Sequence, residues 1–303
     1  MIATADYELL TTTVGLVERA ERTVIELTGA ESAEFLQGQV TNDVEALAPG
    51  QGCYAALLDH KGKLRADMRV LRLAGDRLLV DAEPPARPVL MHNFETYSLG
   101  RDAKAVDLTG ERAVLSLIGP TARNVLRAAP PADEYAFVEG EHGLHVVTDL
   151  GVDLIVGIDR LEEARAVAPQ VPEDAAECLR IESGRPRLGL DMDGSTIPQE
   201  AGINERAVSF SKGCYVGQET VARLHYKGKP NRHLRGLRLS EPAEHGDSTV
   251  LGEKEVGSVG SACVSPTFGP IALARVRREA SPGDEVAVAG SPATVAELPF
   301  GPA

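Results

Sequence analysis

At Gly228-Lys229-Pro230 the sequence changes texture, and this change constrains the fold more than any other feature. Beyond it, residues 234–239, 255–264, 271–277 and 285–288 read as short alternating strands separated by Gly, Pro and Ser, the pattern of a small antiparallel barrel. Before it, helical and extended patterns alternate irregularly and without a repeat period, which excludes a solenoid and points to an α+β architecture. The expected division is therefore residues 1–228 and 229–303, in a chain of 303 residues that has length for two or three domains. The longest apolar runs, such as 152–158 with Asp153 inside it, are too short to span a bilayer. The N-terminus MIATADYELL has neither a basic nor an apolar leader region, and Cys53, Cys178, Cys214 and Cys263 show no CxxC spacing. A soluble, cytoplasmic chain with free thiols is expected.

Within the first part, the pattern predicts a helix over 32–42 with Ser32 as its N-cap. Strands follow over 54–59 and 64–73, joined at His60-Lys61-Gly62, then a strand over 77–80 and a helix over 88–99. A strand over 113–118, a helix over 121–128 and a hairpin over 143–158 turning near Leu150-Gly151 come next. The helix over 173–183 is the best marked: Pro172 precedes it, Glu173 and Asp174 occupy its first turn, and Gly184 stops it. Its apolar stripe of Ala175, Cys178 and Leu179 continues at Glu182. A carboxylate on an inward face needs a partner or a ligand, unless the last turn frays and exposes it.

With 45 acidic against 31 basic residues the chain carries a formal charge of −14, which argues against nucleic-acid binding through its whole surface. The distribution is uneven. Residues 205–238 hold Arg206, Lys212, Arg223, Lys227, Lys229, Arg232, Arg235 and Arg238 against Glu205 and Glu219, a net +6. Such a stretch is either a site for an anionic ligand or a solvated linker. Inside it lies Lys212-Gly213-Cys214-Tyr215-Val216-Gly217-Gln218-Glu219. The glycines permit close backbone approach or a positive φ, and Lys212 and Arg223 would favour the thiolate of Cys214 if they lie beside it. The other three cysteines adjoin apolar segments and read as small buried hydrophobes.

The run KGCYVGQETVAR (212–223) resembles the signature of the YgfZ-type folate-binding proteins, relatives of the glycine-cleavage T-protein (aminomethyltransferase). LTGAESAEFLQGQVTNDV (27–44), SLIGPTARNVL (116–126), RIESGRPRLGLDM (180–192) and VGSVGSACVSPTFGPIALARV (256–276) resemble family segments in the same order, so the likeness covers nearly the whole chain. It implies a three-domain cloverleaf: two interleaved α+β domains, one of them ferredoxin-like, and a C-terminal β-barrel, around a central hole that binds tetrahydrofolate. It matches Glu182 to the glutamate that hydrogen-bonds the pterin, whose adjacent N–H donors suit a carboxylate, and Tyr54 to a tyrosine near the folate. Asp67, Gln218, Glu219 and Arg223 are further folate-site candidates, and Arg223, Lys227 and Arg232 suit the folate's glutamate tail. Cys214, with Lys212 modulating it, is the candidate redox or cluster-contacting thiol. One such thiol is too few to hold an ordinary four-cysteine iron–sulfur cluster.

The run Gly62-Lys63-Leu64-Arg65-Ala66-Asp67 stands where aminomethyltransferases carry Gly-Gly-x-x-Asp-Asp, so Ala66 replaces the first, catalytic aspartate. Alanine can neither accept a proton nor stabilise a cationic amine, and on an alternating strand Asp67 faces the other way. The resemblance therefore implies a folate-binding factor for assembly or repair of iron–sulfur clusters in client proteins, tRNA-modifying enzymes among them. Its expected partners are folate and iron–sulfur client or carrier proteins, with no membrane and no direct nucleic-acid binding. The alternatives are a folate-dependent aminomethyl or one-carbon transferase and an RNA-binding module. The second has only Phe210, Tyr215 and Tyr226 in the basic stretch for base stacking.

Overall fold

The computed structural model describes residues 3–301. Helix α1 (Thr4–Thr12) leads into β1 (Gly15–Arg19), β2 (Thr23–Thr28), α2 (Ser32–Gln39), β3 (Gly52–Leu58), β4 (Leu64–Ala74), β5 (Arg77–Ala82), α3 (Arg87–Tyr97) and β6 (Lys104–Asp107). Next come β7 (Arg112–Ile118), β8 (Phe137–Gly140), β9 (Gly143–Val147), β10 (Gly151–Gly157), α4 (Leu161–Arg165), α5 (Glu173–Glu182), α6 (Asn204–Ala207) and α7 (Gln218–Lys227). The chain closes with β11 (Arg232–Leu239), β12 (Ser248–Leu251), β13 (Lys254–Ser265), β14 (Gly269–Arg277), β15 (Glu285–Val288) and β16 (Ser291–Ala296).

These strands form two five-stranded sheets, β1-β7-β10-β9-β8 and β3-β4-β5-β2-β6, and a closed six-stranded barrel, β11-β14-β13-β12-β15-β16. The sheets are interleaved in sequence, because β1 belongs to one and β2 to the other, as the family resemblance implies. All ladders named within them are antiparallel. The barrel interior is filled by short side chains, among them Val256, Val259, Ala272, Ala274, Val286 and Val295, which is what the narrow bore of six strands admits.

The helix expected over 121–128 is absent; residues 121–125 form successive turns closed by three-residue hydrogen bonds, while the amide of Thr121 donates to the carbonyl of Thr13. Only Ala122 and Leu126 of the expected helix are buried, an apolar face too small to hold eight residues in a helix. Ser32 is not a cap: Glu31 precedes the helix, and the Ser32 hydroxyl donates to the carbonyl of Asp76 at 3.3 Å. The helix expected over 173–183 is α5, and Glu182 is buried rather than frayed.

The two sheets pack face to face through a layer drawn from both, with Val24, Leu71 and Leu79 against Val114, Val146 and Ile155. Strand alternation carries the same faces onward to polar residues: Asp67 and Arg69 before Leu71, Asp81 after Leu79, Ser116 after Val114, and Asp153 before Ile155. One end of the intersheet layer is thus charged, and a cleft opens there. The other face of the second sheet rests on both α2 and α3, where Leu64, Ala66, Met68 and Val70 of β4 join the largest apolar core.

Candidate functional site

The cleft has a volume of about 180 Å³ and lies where the charged ends of β4, β5, β7 and β10 meet the segment after α5. Seven arginines and four carboxyl groups line it, together with Tyr54, Met68, Tyr135 and Leu150. Most of this charge is internally ordered. Asp81, fully buried, accepts from Arg22 Nε at 2.8 Å and Arg69 Nε at 2.7 Å. Burial opposes its ionised form, but the two guanidinium groups outweigh that and hold its carboxyl below the usual range. Arg69 reaches on to Asp153, so one arginine ties the two sheets together.

Asp67 is the exception. Tyr54 donates its hydroxyl to Asp67 Oδ2 at 2.7 Å, while Asp67 Oδ1 is buried with no partner. Burial pushes the Asp67 carboxyl up to about 6, against the pull of the Tyr54 hydrogen bond and with some help from Glu83. Burial also raises the Tyr54 phenol well above its ordinary value, so it stays a donor. The Arg206 guanidinium stands 5.4 Å over the Tyr54 ring and 5.9 Å over the Tyr135 ring, and it donates to the Tyr135 hydroxyl at 2.6 Å. Together these groups offer an unsatisfied acceptor, aromatic faces and guanidinium donors, a set suited to a flat, N–H-bearing ring that carries carboxylates.

Alternation places positions 66 and 67 on opposite sides of β4, as expected. Ala66 is buried in the apolar core, and Asp67 is the residue that faces the cleft. The absence of an acid at position 66 therefore does not leave the cleft without a carboxyl group.

Glu182 lies elsewhere and is not among the cleft residues. It ends α5, where a negative charge is disfavoured by the helix dipole, and it is held there by donors. Tyr7 of α1 donates to both oxygens at 3.0 and 3.1 Å, Ser265 of β13 donates at 2.5 Å, and the Cys178 thiol at 3.4 Å. The Tyr7 phenol is pushed up to about 12 by burial, reinforced by the charge of Glu182. The misplaced carboxylate of the sequence pattern is thus a junction of α1, α5 and the barrel.

The cysteine loop runs from Lys212, bound at the Asn42 carbonyl, to Gly217 on the β3–β4 turn. Lys212 is buried, and its ammonium donates to the carbonyls of Gln37, Val40 and Asn42 at 2.6, 2.8 and 2.9 Å, capping the end of α2. Burial lowers its pKa to about 8, against the pull of Asp43 and other nearby acids. Lys212 is therefore bound beneath the loop and engaged by backbone. Gly217 has φ +84°, and a Cβ there would stand 2.5 Å from the Asp59 carbonyl oxygen; this contact seats the loop on the β3–β4 turn. Cys214 is exposed, whereas Cys178 is buried and Cys53 and Cys263 are partly so. Gln218, Glu219 and Arg223 belong to α7, with Glu219 and Arg223 exposed to solvent. From Tyr54 to the β3–β4 turn that holds Gly217 is roughly 16 Å along the strand, and the structure joins Tyr54 to Asp67 by a hydrogen bond, while Cys214 is not among the residues lining the cleft. The basic stretch is likewise dispersed: Arg206 enters the cleft, Lys212 caps α2, Arg223 and Lys227 lie on α7, and Arg232, Arg235 and Arg238 on β11.

Two family models match the chain, the GCVT N-terminal domain over residues 2–142 and the glycine cleavage T-protein C-terminal barrel domain over residues 232–300. A protein of Escherichia coli O139:H28 named tRNA-modifying protein YgfZ is 30% identical over 223 residues, covering 69% of this chain and 67% of that one. A Colwellia psychrerythraea protein of the same name is 29% identical, covering 80% and 76%. An aminomethyltransferase of Rubrobacter xylanophilus is 29% identical, covering 98% and 85%. The crystal structure of aminomethyltransferase T from Bartonella henselae shares the fold, with a TM-score of 0.88 at 22% identity over 97% of this chain and 88% of that one.

Proposed function

Because the chain belongs to the glycine cleavage T-protein superfamily as a YgfZ-type member, we propose that it is a tetrahydrofolate-binding accessory factor for iron–sulfur proteins, including those that modify tRNA. The observation that carries the ligand assignment is Asp67 Oδ1, a buried acceptor with no partner inside an arginine-lined cleft. A reduced pterin presents adjacent N–H groups that such a carboxylate accepts, and Tyr54 and Tyr135 offer faces to its ring. Arg185, paired through Nε with Asp149, and Arg206, paired with Glu134, keep further N–H groups for the carboxylates of the glutamate tail. The cleft is smaller than the roughly 300–1,000 Å³ usual for whole-ligand sites, so it receives the ring system and leaves the tail outside. When bound, tetrahydrofolate supplies ring nitrogens able to carry a one-carbon unit. The chain's own part is to accept the pterin's hydrogen bonds at Asp67, with Tyr54 fixing that carboxyl.

Cys214 is the client-facing thiol in this reading, since it is exposed on a loop that Lys212 and Gly217 anchor from below. Cells lacking the native protein test the whole proposal. Cys214→Ala and Asp67→Asn should each fail to restore iron–sulfur enzyme activity while accumulating as folded protein. Full restoration by Cys214→Ala would remove the thiol from the function.

A second reading, folate-dependent one-carbon transfer, is favoured by the cleft-facing Asp67, whose carboxyl near 6 is suited to proton transfer at neutral pH. Supplied with aminomethylated lipoyl carrier protein and tetrahydrofolate, the purified protein should show no steady aminomethyl transfer. Turnover that Asp67→Asn abolishes would establish the transferase instead.

A further inference from the structure

Away from the cleft and from Cys214, two further thiols meet where the α+β part touches the barrel. Cys178 Sγ on α5 and Cys263 Sγ on β13 are 3.3 Å apart, although 85 residues separate them in sequence. Their elements already pack together: Cys263 lies against the cluster that contains Cys178 and also against the cluster of Ile181, Ile271 and Phe300. A disulfide would bring these two sulfurs from 3.3 Å to about 2.05 Å. The pair is asymmetric. Cys263 is partly exposed, whereas Cys178 is fully buried. The thiols also form a directed chain, with Cys263 donating to Cys178 and Cys178 donating to Glu182 Oε1 at 3.4 Å.

We propose that Cys178 and Cys263 form a two-electron thiol–disulfide centre, oxidised by hydroperoxides, that reversibly locks α5 to the barrel. In the first step the accessible Cys263 sulfur attacks one oxygen of the hydroperoxide. An S–O bond forms, the O–O bond breaks, and the alcohol or water that leaves carries away the Cys263 proton. In the second step Cys178 Sγ attacks the resulting sulfenic sulfur. The S–S bond forms, the S–O bond breaks, and the departing hydroxide leaves as water with the Cys178 proton, which Glu182 is placed to accept and pass on. The two thiols thus lose two electrons to one hydroperoxide. The hydrogen bond with Cys263, then burial and the neighbouring Glu182, push the Cys178 thiol far up, consistent with its acting second, as the resolving thiol.

The disulfide takes the Cys178 donor from Glu182, leaving Tyr7 and Ser265 to hold that carboxylate. It also closes a long loop across the domain junction, a constraint that falls mainly on the unfolded chain. The redox state of the pair therefore sets how firmly the barrel is fixed to the rest of the molecule, whatever the cleft binds.

The test uses the full chain carrying Cys214→Ser, which prevents cross-linking between molecules through the exposed thiol. After limiting hydrogen peroxide and alkylation of remaining thiols, digestion without reductant should yield one peptide pair joined through Cys178 and Cys263, two hydrogens lighter than its reduced parts. Dithiothreitol should release it. Oxidation should raise the thermal midpoint by roughly 5–10 °C, and Cys263→Ser should lose both the cross-link and the rise. In Cys178→Ser, Cys263 should run on to the sulfinic acid because nothing resolves it. Recovery of alkylatable Cys178 after Cys263 has been oxidised, or peroxide chemistry confined to Cys53, would overturn the proposal.

Discussion

Asp67 and Glu182 show how one side-chain type takes two roles according to its donors. Both are carboxyl groups with 9% exposure. Glu182 meets donors on both oxygens, while Asp67 meets one phenol on one oxygen, and that difference leaves Asp67 as the group with binding capacity to spare. Burial raises the Asp67 carboxyl to about 6, above the roughly 3.9 of an unfolded chain. The folded state therefore binds an extra proton between those values. The stability contributed by this group is fully present below about pH 4 and is lost as pH rises through 6. Asp67→Asn stays neutral and keeps an oxygen for Tyr54, so it should be more stable than wild type at about pH 7.5, by about 2 kcal/mol, with the gain vanishing near pH 4. Urea titrations across that range measure it, and a gain that does not vary with pH removes this titration from the account.

At the scale of elements, the cysteine loop is held by what lies under it. Three carbonyls at the end of α2 share the Lys212 ammonium, so Lys212→Met should cost about 2–4 kcal/mol of stability through the lost charged hydrogen bonds and the orphaned acceptors. A side chain whose only task was to tune Cys214 would change the alkylation rate without moving the urea midpoint. Gly217→Ala should cost about 1–3 kcal/mol, because its φ and the Asp59 carbonyl both exclude a Cβ; Gly213→Ala, with nothing within 4 Å, should be neutral. The helix that follows this loop was not legible in the sequence. In α7 only Val221 is buried, so no apolar stripe announces it. Helix α5 was legible because Ala175, Cys178 and Leu179 do form such a stripe, and its anomaly at Glu182 was visible too. What no local pattern could supply is the identity of Tyr7, a partner 175 residues away.

For the whole molecule, the arrangement of two sheets back to back decides where a ligand can sit. The layer is apolar through Leu71, Leu79, Val114 and Ile155 and charged through Asp67, Asp81 and Asp153 on the same faces. Asp153 was visible in the sequence as an interruption of an apolar run, but its ion pair with Arg69 depends on interleaving that chain order alone does not reveal. Motif resemblance brought Tyr54, Asp67, Glu182 and Cys214 forward together, and the fold separates them into a cleft, a domain junction and an exposed loop. Among the described residues no helix is long and apolar enough to cross a membrane. The central claim is that the cleft, through Asp67, receives a reduced folate. Titration calorimetry of tetrahydrofolate into wild type, Asp67→Asn and Glu182→Gln tests it directly. Micromolar binding is expected for wild type, with a loss of about 1.5–3 kcal/mol in Asp67→Asn and little change in Glu182→Gln. Unchanged affinity in Asp67→Asn, with the loss falling on Glu182→Gln, would contradict the account and move the ligand to the junction of α1, α5 and the barrel.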